Sequence, residues 1–110
     1  HHIRQIKQKL GISGVQSDVS AWKGDGGQID LLIDRRDQTI NLCEMKFSQG
    51  EFEITKQYDE HLRERMESFR SATKTRKALH QTFVTTYGVK RNMDSGNVQC
   101  EVILNDLFLE

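Results

Sequence analysis

Apolar residues fall along this chain in two rhythms. Over residues 1–10, Ile3, Ile6 and Leu10 recur at the spacing of one helix face, and Gly11 supplies a stop. The stretch GVQSDVSAW, 14–22, is rich in β-branched residues with partial alternation and predicts a strand, with KGDGG, 23–27, as the turn after it. QIDLLID, 28–34, and TINLCEMKF, 39–47, are strands separated only by the charged turn RRDQ, 35–38. Strands this close in sequence pair as an antiparallel hairpin. Residues 51–72 then change period. Ile54, Tyr58, Leu62, Met66 and Phe69 share one face of a helix that starts near Phe52, after Ser48 or the Gln49-Gly50 turn. Glu51 and Glu53 favour the positive end of its dipole, and the helix continues or restarts through TKTRKALH. QTFVTTYGV, 81–89, and VQCEVILN, 98–105, are strands either side of the loop KRNMDSGN, and DLFLE closes the chain as a short helical turn.

The pattern gives an α-βββ-α-ββ order, an α/β domain with a mixed sheet. The long helix between the third and fourth strands requires a crossover, which makes those strands parallel neighbours and right-handed in connection; the remaining pairs are free to be antiparallel. A chain of 110 residues supports one domain and one core, so 1–110 is read as a single unit.

Composition narrows this modestly. Hydrophobic content of 35% and charged content of 29% suit a globular domain, and no apolar run approaches the ~20 residues of a membrane span. The N-terminus has no signal-peptide pattern, so a soluble cytoplasmic protein is expected. Cys43 and Cys100 lie far apart without a CxxC partner and read as free thiols in a reducing compartment. His1, His2, His61 and His80 show no zinc spacing. The chain begins at His1 and reads as the end of a longer polypeptide. Net charge is zero, but Arg70, Lys74, Arg76 and Lys77 form a run without an acid, and Lys90-Arg91 add a second basic point. Such runs are solvated faces or contacts to a nucleic-acid backbone.

The hairpin carries charges where a core is wanted. Alternation puts Glu44 and Lys46 on one face and Cys43, Met45 and Phe47 on the other. On the strand before, the same rule opposes Asp30 to Ile29, Leu31 and Ile33, so Asp30, Glu44 and Lys46 are expected on one shared face with Leu32 and Leu42. Two carboxylates side by side need a cation or a proton between them. A hard divalent ion held by oxygen ligands resolves the conflict, with Lys46 beside it to meet an anion or an activated water; a plain acid–lysine ion pair resolves it equally well.

QIDLLI, a turn, and INLCEMKF resemble the signature of the PD-(D/E)xK nuclease superfamily: an Asp on one strand, Glu-x-Lys on the next, then a helix. LGISGV, QIDLLIDRRDQTINLCEMKFS and TKTRKALHQTFVTTYGVK look, more narrowly, like the C-terminal domain of large bacterial AAA-type ATP-binding proteins. The resemblance covers essentially the whole chain. It implies a restriction-endonuclease-like mixed sheet flanked by helices, and Mg²⁺- or Mn²⁺-dependent phosphodiester hydrolysis of nucleic acid, in the first instance DNA. It further implies that Asp30, Glu44 and the backbone carbonyl of Met45 ligate the metal, and that Lys46 activates the attacking water. Lys56 or Gln57 occupies the position of a further polar helper, and Arg70, Lys74, Arg76, Lys77, Lys90 and Arg91 are the candidate nucleic-acid contacts. An ATPase module of the same polypeptide is the implied partner. A catalytically inactive version, serving as a nucleic-acid-binding or protein-interaction module, is the alternative.

Two departures stand out. Ile29 occupies the family's usual proline position, and HHIRQIKQKL offers no acid of the kind many members supply from a first helix; that acid is expected either upstream of this stretch or not at all in this branch, with Asp18 as a less favoured substitute. Trp22 reads as a core or rim aromatic, and alternatively as a stacking platform for a base. KGDGGQ lacks the Lys-Ser/Thr ending of a phosphate loop, so ATP is not expected to bind here by that route. Ser13, Ser20 and Ser48 lack the His and acid of a hydrolase triad.

Overall fold

The computed structural model describes residues 2–104. Their elements run α1 (Ile3–Lys9), β1 (Ser17–Gly24), β2 (Gly27–Arg35), β3 (Thr39–Lys46), α2 (Lys56–Thr73), β4 (Ala78–Thr85) and β5 (Cys100–Ile103). The expected terminal turn DLFLE lies outside the described residues. The strands form one five-stranded sheet in the order β1-β2-β3-β4-β5. The first two pairings are antiparallel and the last two parallel. The chain is thus an α/β domain built on a mixed sheet. The parallel β3–β4 pair follows from the α2 crossover. The parallel β4–β5 pair was not expected, because no helix lies between them: the segment 86–99 makes that crossover with turns, bends and a single β-bridge at Val89.

Each face of the sheet carries one helix. On the α1 side, Leu31, Ile33, Cys43, Val84 and Val102 pack with Ile6 and Ile12. Gly11, at φ 75, lets the chain reverse after α1. Its amide donates to Gln8 O and the amide of Ile12 to Lys7 O, so two end carbonyls are satisfied while Ile12 turns into the core. On the α2 side, Leu32, Ile40, Leu42 and Leu79 meet Phe69, with Trp22 edge-on to the Phe69 ring at 5.4 Å. Trp22 is therefore a half-buried core aromatic. Phe83, fully buried beneath Ile54 and Leu62, fills the rest of that face; burying a side chain of this kind contributes about 1.5–3 kcal/mol.

Several boundaries differ from those expected. The long helix begins at Lys56, not near Phe52: Thr55 is the cap, accepting the Tyr58 amide at 3.1 Å. Residues before it are extended, and Phe52 bridges Val89 in parallel, which removes Glu51 and Glu53 from the helix. The helix also ends sooner than TKTRKALH suggests. Lys74 adopts a left-handed conformation, Arg70 Nη1 caps the carbonyls of Thr75 and Lys77, and Ala78 already lies in β4 opposite Thr39. The first strand is shifted toward the chain end by its pairing with β2, and β4 stops at Thr85, leaving Val89 as an isolated bridge.

The alternation assumed for β2 fails at one point. Ser20 pairs with Leu32 but Trp22 pairs with Ile29, so Asp30 and Leu31 together stand opposite Ala21: a β-bulge in β2. Past the bulge the faces exchange. Ile29 is buried on the α2 side, while Leu31 and Ile33 are buried on the α1 side.

Candidate functional site

The β2–β3 ladder runs from Asp34↔Ile40 to Leu31↔Cys43. Asp30 and Glu44 are the next residues on their strands. Beyond them β2 continues with β1 and β3 with β4, where Glu44 lies opposite Phe83 and Lys46 opposite Thr85. The hairpin therefore opens into a fork at the level of Glu44.

Arg65 fills that fork from α2. Its Nη1 donates to Gln28 O on β2 at 2.9 Å and to the Glu44 carboxylate on β3 at 3.2 and 3.4 Å. A guanidinium thus replaces the ladder that the two strands have given up, which matters because buried backbone acceptors need a partner. The Arg65 side chain is 5% exposed and that of Glu44 14%. Nε and Nη2 of Arg65 are buried without a partner among the described residues. Gly27, at φ 131, keeps the approach open: a Cβ there would stand 3.2 Å from Arg65 Cδ.

Tyr58 completes the environment of Glu44. Its hydroxyl donates to Glu44 Oε2 at 2.6 Å. Burial, and then the bond to a carboxylate, hold the phenol well above its ordinary value of 10.0. The Lys46 ammonium sits 5.3 Å from the Tyr58 ring centre and 5.6 Å from that of Phe52, so two aromatic faces hold it beside Glu44. Among the described residues no hydrogen bond or ion pair takes this ammonium.

The structure unites Glu44 and Lys46 but sets Asp30 apart. Asp30 is exposed, and its Oδ1 accepts from Gln28 Nε2 at 2.7 Å. Gln28 alternates with Ile29, whose side chain is under α2, so this bond draws the Asp30 carboxylate to the other side of the strand. The shared face expected of Asp30, Glu44 and Lys46 is corrected in this respect, and the bulge is the cause. Met45, between Glu44 and Lys46, packs its side chain on the α1-side core. Among the described residues no group of three or more His, Cys, Asp or Glu is gathered to hold a metal. Lys56 and Gln57 are exposed on the first turn of α2, and Tyr58 beside them is the residue that reaches Glu44. Asp18 pairs with Asp34 and meets Arg36 at 3.7 Å, about 13 Å along the sheet from Glu44 at ~3.3 Å per residue.

The basic residues divide between two ends of the sheet. Arg70, Lys74, Arg76 and Lys77 surround the C-terminus of α2 and the start of β4, at the Thr39 end of β3. Thr39 and Lys46 are about 23 Å apart along the strand. Lys77 is also committed: its Nζ donates to Asp34 Oδ1 at 2.6 Å and to Arg35 O at 2.7 Å. Lys90 and Arg91 are at the Lys46 end, because the Lys90 amide donates to Phe52 O and Phe52 lies under Lys46. Both are exposed.

Tyr58 and Arg65 were not anticipated as site residues. The available signal was Arg65 itself, a charge on the face defined by Tyr58, Leu62 and Phe69. An arginine on an apolar stripe needs a buried partner, and Glu44 is that partner. No family model, curated protein or solved structure matches the chain.

Proposed function

We propose that this chain is a PD-(D/E)xK-type domain that hydrolyses phosphodiester bonds in nucleic acid, DNA in the first instance, with Mg²⁺ or Mn²⁺, and that it works beside an ATPase module of the same polypeptide. The observation that supports this most is the position of Glu44 and Lys46: adjacent on one face, at the point where β2 and β3 part, with Lys46 not engaged in an ion pair among the described residues. The donors fit a hard cation in kind. Glu44, the Met45 carbonyl and Asp30 are all oxygen ligands. Glu44 must exchange the Arg65 guanidinium for the cation, and Asp30 must leave Gln28 and come round to the Glu44 side of β2.

When bound, the metal supplies charge stabilisation and an acidified water. The chain's own residues do the rest. Lys46 holds a positive charge on the Glu44 side, where it meets a phosphate oxygen or donates a hydrogen bond to the oxygen of the attacking water. Tyr58 fixes the Glu44 carboxylate. Lys90 and Arg91 lie at the right end of the sheet to meet a nucleic-acid backbone, and Arg70, Lys74, Arg76 and Lys77 lie at the other. Incubation with supercoiled plasmid and Mg²⁺ or Mn²⁺ tests the reading. Nicking that disappears in Lys46→Ala and Glu44→Ala is expected. Intact plasmid with both this domain and its full-length parent overturns it.

The Arg65–Glu44 pair favours a second reading, in which the guanidinium is the permanent counter-cation and the domain binds nucleic acid or its ATPase without cleaving. This version expects salt-sensitive DNA binding, no cleavage, and no Mn²⁺ uptake by the isolated domain.

A further inference from the structure

Residues 1–17 carry Arg4, Lys7 and Lys9 and no acid. The chain leaves α1 at Gly11 and turns once more before β1. The Val15 amide donates to Ile12 O at 3.0 Å, which closes a tight turn over residues 12–15. Ile12 is buried and Val15 packs against the same core, so the tip of the turn, Ser13-Gly14, is held out in solvent. Lys7 braces this turn from α1. Its carbonyl accepts from the Ile12 amide at 2.9 Å, and its Nζ donates to Val15 O at 3.1 Å. From the other side, the Arg36 amide donates to Gln16 O at 2.9 Å, which brings the β2–β3 turn against the end of the loop.

Between these parts is an open concavity of about 410 Å³, lined by residues 13–18 with Lys7 and Arg36. Donors dominate it. The amides of Ser13 and Gly14 have no hydrogen-bond partner among the described residues, and the hydroxyls of Ser13 and Ser17 add two O–H groups. The Lys7 ammonium gives one donor to Val15 O, a neutral acceptor, and no carboxylate pairs with it among the described residues. Asp18 is the acid of the lining. It meets Arg36 at 3.7 Å, a weak pair because the two side chains are 76% and 67% exposed. Alternation turns Asp18, like Asp34 opposite it, toward the α2 side of the sheet, and Ser17 toward the α1 side. A second open hollow of about 430 Å³, lined by Ile3, Arg4, Lys7 and Ser13, adjoins the first through Lys7 and Ser13. Across the two, three cations stand against one acid. All of these groups are within reach of a solute: Arg4, Ser13, Gly14 and Arg36 are exposed, and Lys7 and Ser17 are half-buried.

We propose that this concavity is a phosphate site. A phosphate group seats on the Ser13-Gly14 tip, accepts from its two amides and the Ser13 hydroxyl, and is countered by Lys7 and Arg36. Free amides on a tight turn form an anion-binding hollow, and phosphate oxygens accept charge-assisted bonds from lysine and arginine. The carbonyls at the end of α1 do not oppose the anion, because the amides of Gly11 and Ile12 close two of them. Lys7 and Ser17 lie on the α1 side of the sheet and Glu44 on the α2 side, so the proposal stands apart from hydrolysis at Glu44. The phosphate is either the terminal group of a nucleic-acid strand or a bridging group within one, and Arg4 in the adjoining hollow meets the phosphate next to it.

Titration of ¹⁵N-labelled protein with inorganic phosphate, at an ionic strength held constant with sodium chloride, tests it. Saturable shifts are expected at the amides of Ser13, Gly14 and Ser17. Lys7→Met keeps the apolar stem and is expected to weaken binding about tenfold, and Arg36→Gln severalfold. Asp18→Asn removes only the opposing charge and is expected to tighten binding severalfold, a gain that a merely structural role for these residues would not produce. A 5′-phosphorylated dinucleotide and its unphosphorylated form, titrated in EDTA, identify the source: preference for the first marks a strand end, and equal binding marks the bridging phosphate. The proposal is overturned by absence of saturable shifts with all three ligands, by equal shifts with chloride alone, or by binding that neither Lys7→Met nor Arg36→Gln changes.

Discussion

Arg65 on α2 and Glu44 on β3 form a nearly dry ion pair, Nη1 to Oε1 at 3.2 Å, across the fork where β2 leaves β3. The same Nη1 holds Gln28 O, so one side chain ties helix, hairpin and candidate site together. Removing one partner of a buried pair strands the other charge, at a cost of about 3–5 kcal/mol. Arg65→Ala is therefore expected to lower the urea midpoint substantially. The double variant Arg65→Met with Glu44→Gln should recover much of the loss. A midpoint within error of wild type for Arg65→Ala would show that the pair does not hold the fork.

Tyr58 contributes a pH dependence of definite sign. Its folded pKa is raised above 10.0, first by burial and then by the bond to Glu44. Its contribution is complete below the unfolded value. As pH rises past about 10 the unfolded state releases this proton more readily than the folded state, so stability falls until the folded phenol itself ionises. A steeper loss of stability above pH 10 is expected in wild type than in Tyr58→Phe. Absorbance titration of the folded protein should show a late-ionising phenol that Tyr58→Phe removes. Identical alkaline profiles for the two proteins would contradict the buried bond.

The two thiols should behave differently. Cys43 is 1% exposed, and burial, with smaller effects of Cys100 and Glu44, pushes it up to about 12. Cys100 is half-buried at the start of β5, with His80 Nδ1 3.9 Å from its sulfur. A disulfide-exchange reagent at pH 8 is expected to label one thiol per chain quickly, lost in Cys100→Ser, and the second only on unfolding. Fast labelling of Cys43 in native protein would contradict its place in the core.

Lys90 and Lys77 separate binding from folding. Lys90→Ala with Arg91→Ala removes exposed charge at the Lys46 end, and should weaken DNA binding and reduce the salt slope by about one to two units while stability stays within about 0.5 kcal/mol. Lys77→Ala loses the bonds to Asp34 and Arg35 O, and should lower stability with little effect on binding. The reverse pattern would place the nucleic-acid face at the other end of the sheet.

Local rules along the chain accounted for part of the fold. Two strands joined by RRDQ could only form a hairpin, and a helix between β3 and β4 required a parallel pair. Two-residue alternation placed Glu44 with Lys46, because β3 pairs regularly from Thr39 to Lys46 and nothing interrupts its pleat. The rest came from contacts between segments distant in the chain. The bulge at Asp30 arises from the register between β1 and β2, a relation between segments that neither strand encodes alone, and it turns Asp30 toward Gln28. The start of α2 depended on Phe52 finding Val89 across the chain, and the division of the basic run depended on which end of the sheet each segment reached. Arg65 was visible as a misplaced charge on an apolar stripe. That its partner is Glu44 followed from how α2 crosses the open end of the hairpin, and a crossing of that kind is set by packing rather than by spacing along the chain.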